Sequence, residues 1–309
     1  HWRSGSSPHP SPRPIALAES DEVGMEWRGG PGGPPADLPG EGERPAASAA
    51  LGATEFPARF VDNLDFGMTI AAFGTPTGPL RAPGSNANAF VFQSFIDELA
   101  IAAGKDPLAF RLDLFGPPRV LAPRPGPRPV AFDVGRARGV LEEVAARAGW
   151  ANRASLPKGT GLGIAFYFSH LGYFAHVVKA TVSHAGAWQA DRIWVVGDVG
   201  SQIVNPINAI NQVQGAVIDA LTHASAAITV TSGQTNEANF DGFPLVRMFE
   251  APPVDVHFRL TDNPPTGLGE PALPPVMPAL CNAIFAATGK RIRTLPIVPG
   301  DLTWGEPGL

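Results

Sequence analysis

Apolar residues first recur at helical spacing in "AFVFQSFIDELAIAAG" (89–104), where Phe92, Phe95, Ile96, Leu99 and Ala103 oppose Gln93, Asp97 and Glu98. The stripe predicts a helix that buries its phenylalanines, with Gly104 placed as a left-handed C-cap. "KDPLAFRLDLFG" (105–116) restarts a helix, with Asp106 as N-cap and Pro107 in the first position. Further helical periodicity lies in 135–149, in 205–225 (Asn205 as cap, Pro206 at N1) and in about 276–287. β-branched and aromatic runs predict strands within 63–74, 160–169, 173–184, 189–199, 226–232 and 253–261. The uncharged run between Lys158 and Lys179 is as long as a membrane span. Its four glycines, one serine and two histidines read better as two buried strands joined at 169–172.

Strands and helices follow in irregular order without a repeat, which predicts a mixed α+β fold. Residues 1–55 read as a Pro/Gly-rich linker or extension, 56–155 and 156–309 as two portions of the ordered region. The absence of an initiator Met at His1 suggests that a longer gene product was split or processed.

Composition changes this picture in three ways. With 44% apolar residues the chain can bury a core, and 35 Gly with 34 Pro imply many fixed turns. A net charge of −5 argues against nucleic acid as a partner. Cys281 is the single cysteine, so an iron–sulfur cluster, which needs about four thiolates, belongs on another polypeptide. Cys281 itself reads as an inert packed thiol.

His170, His176 and His184 have no ligand partners at metal-binding spacing and read as ordinary core or surface residues. "GTGLG" (159–163) opens a strand and lacks dinucleotide-loop spacing. Three loops are more unusual. "FGTPTGPLRAPGSNANAF" (73–90) sets Arg81 among small residues before a helix N-terminus, suited to an anion or oxo group or to a plain turn. "GDVGSQIVNPINAINQVQGA" (197–216) enters a helix bearing neutral amides, which can bond a polar heterocycle or be an ordinary capped helix. "TGLGEPALPP" (266–275) carries one charge, Glu270, on a Gly-Pro hinge beside an apolar helix.

Taken together and in order, these loops resemble the molybdenum-binding subunit of the xanthine dehydrogenase/aldehyde oxidase family. "GPLRAPGS…FVFQSFIDELAIAAGKDPLAFRL", "DVGSQIVNPINAINQVQGA" and "GLGEPALPPVMPALCNAIFAATGKRIRTLPI" carry the likeness, which covers about 66–296. The subclass is similar to isoquinoline 1-oxidoreductase β subunits and membrane-linked aldehyde dehydrogenases. Gln214 stands where the family carries an acid, and the upstream Phe-Gly-Arg-Arg segment and a further Gln loop are missing.

The resemblance implies the C-terminal part of the family's molybdopterin-binding fold, hydroxylating a C–H carbon of an N-heterocycle or aldehyde with water-derived oxygen. Glu270 would be the general base, in uncharged surroundings that disfavour its charged form. Arg81 would stabilise developing charge or present its backbone amide. Leu80, Ala82 and Pro83 would help wall the pocket beside it, with Gly78, Leu80 and Ala82 also meeting the cofactor. Gly200, Ser201, Asn211, Gln212, Gln214 and Gly269 would meet the cofactor, with no metal ligand assigned here. The molybdopterin, as such or as its cytosine dinucleotide, would be shared with another chain that carries the N-terminal half. Electrons would leave through a small 2Fe–2S subunit, with a c-type cytochrome and its haem beyond. Such complexes are expected to be periplasmic or membrane-associated, with the cytoplasm as alternative. The competing expectation is a non-catalytic assembly subunit, against which the intact Gly269-Glu270-Pro271 argues, since a relic has no need of a half-buried carboxylate.

Overall fold

The computed structural model describes residues 14–18, 57–63, 68–72, 80–123 and 130–305, the segments 14–18 and 68–72 as backbone only. Most of the expected 1–55 linker, and Gly78, lie outside the described residues. In chain order, β1 (Pro14–Ala18) pairs antiparallel with β2 (Met68–Ala72). Then come α1 (Ser85–Ala102), α2 (Pro107–Phe115), a ribbon of β3 (Val120–Leu121) and β4 (Phe132–Asp133), and α3 (Val134–Arg147). A sheet follows from β5 (Thr160–Ser169), β6 (Gly172–Val182) and β7 (Trp188–Asp198). After α4 (Pro206–Ser225) come a small hairpin, β8 (Val230–Thr231) with β9 (Gln234–Thr235), then β10 (Val254–Phe258) and α5 (Val276–Thr288).

The main sheet has the order β10-β7-β6-β5, antiparallel except that β10 lies parallel to β7. Strand alternation sends successive side chains to opposite faces. On one face Phe174, Val178, Ile193 and Val195 pack under α4 and α5; on the other, Ile164, Phe166, Tyr173 and Val177 pack under α1, α2 and α3. The uncharged run thus forms the β5–β6 hairpin, joined at 169–172 as expected. Among the described residues no helix is long and apolar enough to cross a membrane.

The caps fall where the sequence puts them. Asp106 accepts from the Ala109 amide at 2.8 Å and Asn205 from Asn208 at 3.0 Å. Past α1, Gly104 has φ +64° and Lys105 donates to the Ala100 carbonyl at 2.9 Å, a Schellman closure. The expected strand within 226–232 shrinks to two exposed residues.

The face of α1 is a correction. Gln93, Ile96, Asp97 and Ala100 are buried, while Phe95 is 51% exposed and Leu99 also faces outward. The polar side can be buried because its partners are buried with it. Arg111 donates to the Gln93 side chain at 3.2 Å and to its carbonyl at 2.9 Å. Asp97 receives Arg291 at 2.7 Å, and Asn282 donates to the Ile164 carbonyl at 3.2 Å. Burial of these charges is tolerable because each has an opposite charge or an acceptor within reach, although Gln93 Nε2 and Arg291 Nη2 find no partner among the described residues. Burial lowers the Arg111 pKa to about 10, partly offset by Asp97, so it stays charged at neutral pH.

Candidate active site

The three unusual loops converge on one carbonyl. Gly269 O accepts from Arg81 Nε at 2.9 Å and from Gln212 Nε2 at 3.0 Å, and Arg81 Nη2 donates to Gln212 O at 3.1 Å. Arg81 reaches this point from a loop tightened on both sides. Ala82 is buried with φ +54°, Gly84 has φ +72°, and the Asn86 amide donates to Arg81 O at 2.5 Å. Asp219, two turns beyond Gln212 along α4, lies 3.7 Å from Arg81 Nη1. Burial raises its pKa, but His223 and Arg81 outweigh that and hold the carboxyl below the ordinary range. The Arg81 guanidinium is thus engaged in holding two backbone segments together.

Glu270, the next residue after Gly269, is half-buried. The sequence expectation of uncharged surroundings did not include one neighbour that the structure brings in: its Oε2 pairs with His170 Nε2 at the tip of the β5–β6 hairpin. Pro271 is buried against that tip, where a methyl group on Gly172 would lie 3.0 Å from its ring. The hinge therefore stands between α4 on one side and the hairpin on the other.

The remaining expected residues divide. Leu80 is exposed beside Arg81, Asn211 lies exposed on the same helix as Gln212, and Gln214 is half-buried. Gly200 and Ser201 are tied to the segment leading to Glu270: Ser201 N donates to Asn263 O at 2.9 Å, and Thr266 N to Val199 O at 2.8 Å. Gly200 has an internal reason to be glycine. With φ +97°, a β-carbon there would meet the Pro264 carbonyl oxygen at 2.4 Å. Beneath this turn Arg136 forks onto the buried Asp198 at 2.6 and 2.9 Å, and Asp198 accepts from Gly200 N at 3.0 Å. Among the described residues no three His, Cys, Asp or Glu side chains gather as a metal site.

The chain is 29% identical over 239 residues to a membrane-bound aldehyde dehydrogenase (pyrroloquinoline-quinone) of Gluconacetobacter polyoxogenes, covering 74% of this chain and 30% of that protein. It is 30% identical over 235 residues to a nicotinate dehydrogenase subunit of Pseudomonas putida (71% and 18%). With the beta subunit of isoquinoline 1-oxidoreductase of Brevundimonas diminuta it shares 29% over 217 residues (68% and 25%). A putative xanthine dehydrogenase molybdenum-binding subunit of Escherichia coli matches at 32% over 120 residues (36% and 16%). Among solved structures, the aldehyde oxidoreductase of Desulfovibrio gigas superposes with a TM-score of 0.62 at 14% identity, covering 77% of this chain and 42% of that one. The quinoline 2-oxidoreductase of Pseudomonas putida 86 gives 0.64 at 11% identity (76% and 54%). The chain matches part of a molybdenum hydroxylase subunit.

The molybdenum hydroxylase likeness agrees with the expected mixed α+β fold. No protein-family model matches the sequence. The chain spans between 18% and 30% of the length of the first three relatives.

Sequence reading missed His170, Ser169, Ser85 and the Arg136–Asp198 pair. One signal was available for the first: "SHLG" at a tight hairpin tip has no Asn or Gly at its two central positions.

Proposed function

We propose that this chain is the C-terminal part of the catalytic subunit of a molybdenum hydroxylase that oxidises an N-heterocycle or an aldehyde with water-derived oxygen, and that Glu270 is its general base. The reading rests on one observation: Arg81, Gln212 and Gly269, far apart in sequence, meet within 3.1 Å and set Glu270 at their edge.

The residues fit a pterin on this flank. Gln212 gives its Nε2 proton to Gly269 O, and its Oε1 receives no hydrogen bond from the described residues. Asn211 adds a second exposed neutral amide, with Ser201 and Gln214 as further donors. A methyl at Gly267 would meet nothing within 4 Å, so the approach over the loop is open. When bound, the molybdenum–pterin group supplies the two-electron oxidation. Arg81 then keeps the Gly269 carbonyl fixed, and Glu270 takes the proton of the attacking hydroxyl at Oε1, the oxygen that His170 leaves free.

Val204, at 90% exposure, and Ile207 extend an apolar surface along the start of α4, suited to cover by the other part of the subunit. The partners proposed with it are a 2Fe–2S subunit and a c-type cytochrome in a periplasmic or membrane-associated complex, since Cys281 is the only thiol here. One relative carries pyrroloquinoline quinone in its name, which makes the cofactor itself a matter for assay. Metal analysis and quinone extraction of the isolated complex separate the two.

Glu270→Gln keeps the shape and removes the base. The complex is expected to retain its molybdenum while turnover falls about 10²–10⁴-fold. Parent-level turnover in that variant would overturn the assignment.

A further inference from the structure

The tip of the β5–β6 hairpin departs from the ordinary in its backbone and in its side chains. Ser169 pairs with Gly172, and the two residues between them, His170 and Leu171, have φ of +50° and +66°. This two-residue geometry is the one that Asn-Gly fills without strain. A residue with a β-carbon is destabilised there, and leucine has no polar group to compensate.

The side chains give a reason for the choice. His170 Nε2 meets Glu270 Oε2. Its Nδ1 lies 2.6 Å from Ser169 Oγ, which donates to Ser85 Oγ at 2.9 Å. Ser85 is the first residue of α1, four positions after Arg81. The chain Glu270–His170–Ser169–Ser85 therefore joins the hinge, the hairpin and the Arg81 loop through side chains. Glu270 needs such support. It follows Gly269 on a loop, and its own contacts within that loop are a backbone bond from Leu273 N to its carbonyl at 3.1 Å and the buried ring of Pro271. Neither fixes the carboxylate.

We infer that His170 is a positioning residue for Glu270: it holds Oε2 and leaves Oε1 aimed for proton transfer, while Ser169 and Ser85 fix the plane of the imidazole. The strained tip is retained because Asn-Gly, although better for the hairpin, cannot reach the carboxylate. This inference rests on the reading of Glu270 as base.

The test compares variants in the assembled complex, with metal content, kcat, KM and the unfolding midpoint as readouts. The double variant His170→Asn/Leu171→Gly relieves the backbone and removes the contact. It is expected to raise the unfolding midpoint, leave KM and metal content unchanged, and lower kcat about 10–100-fold, as loss of a supporting hydrogen bond does. His170→Gln places an amide nitrogen where Nε2 stood and is expected to keep kcat within about threefold of the parent. Parent-level kcat in the Asn-Gly variant overturns the inference, and so does a loss in His170→Gln as large as in Asn-Gly. Glu270→Gln separates the two levels. If it stays active, the base assignment has failed; if it is inactive while the tip variants are neutral, only the role of His170 has failed.

Discussion

At the residue scale, the least comfortable side chain is His176. It is fully buried among Phe174, Val178 and Val195, on the sheet face that α4 and α5 cover, and neither ring nitrogen has a hydrogen-bond partner among the described residues. Burial alone lowers its pKa from 6.5 to about 3. The consequence for stability has a definite sign. Above pH 6.5 the ring is neutral in both the native and the unfolded chain and contributes no pH dependence. Between 6.5 and about 3 the unfolded chain binds a proton that the native one refuses, so stability is lost as the pH falls, by up to about 1.4 kcal/mol per unit. Below about 3 the difference is constant. Replacing His176 with Phe is expected to flatten the unfolding midpoint between pH 7 and pH 5 relative to the parent, measured by calorimetry on the assembled complex. An unchanged pH slope would mean that other groups carry the acid sensitivity. Cys281 needs no such compensation, since burial pushes its thiol pKa up and keeps it protonated, as its apolar helical setting suggested.

At the element scale, the decisive packing is α5 on β5. Gly161 and Gly163 point at the helix from one face of the strand. A methyl on Gly163 would lie 2.1 Å from Ala283 N and 2.2 Å from Ala279 O; one on Gly161 would lie 2.3 Å from Ala283 O. The backbones of helix and strand thus touch with nothing between them, and this explains two glycines of the "GTGLG" run; the third, Gly159, has φ +80° and would meet Trp304 and the Val182 carbonyl instead. Because α5 starts six residues after Glu270, moving the helix moves the hinge. Gly163→Ala is expected to destabilise by about 1–3 kcal/mol, since α5 must lift off the sheet. It is also expected to lower the molybdenum content of the purified complex. A midpoint within error of the parent would show that the helix gives way locally. The positions of the long helices were legible because caps and periodicity are local: Asp106, Asn205 and Gly104 act on their own turns. The orientation of α1 was not. Its amphipathic stripe is real, but the helix turned its polar side inward once Arg111, Arg291 and Asn282 offered partners from three other segments.

At the scale of the whole molecule, large apolar side chains lie uncovered. Met248 is 94% and Phe249 87% exposed, on the long connection between β9 and β10, and Phe95 faces outward on α1. Apolar surface of this extent ordinarily marks an interface, and the chain spans less than a third of its first relatives. The chain made alone is therefore expected to self-associate. The substitutions Met248→Glu and Phe249→Glu together are expected to make the isolated chain monodisperse in light scattering and to lower its recovery with the rest of the complex. Monodisperse parent chain would argue that these residues have no cover to lose.

By itself the sequence determined the order and kind of the long helices and main strands, the hairpin at 169–172, and the three loops that gather at the candidate site, but not β1, β3 and β4 or the shortening of the 226–232 strand. These depend on backbone hydrogen bonding, turn chemistry and side-chain period, all of which act over a few residues. Only the tertiary structure decided which side of α1 is buried, why residues 161 and 163 must be glycine, and that His170 meets Glu270. Each of those depends on groups that arrive from other elements, most of them more than 70 positions away, because a buried polar atom needs its partner and a close backbone approach needs its neighbour, and no local pattern records that arrival.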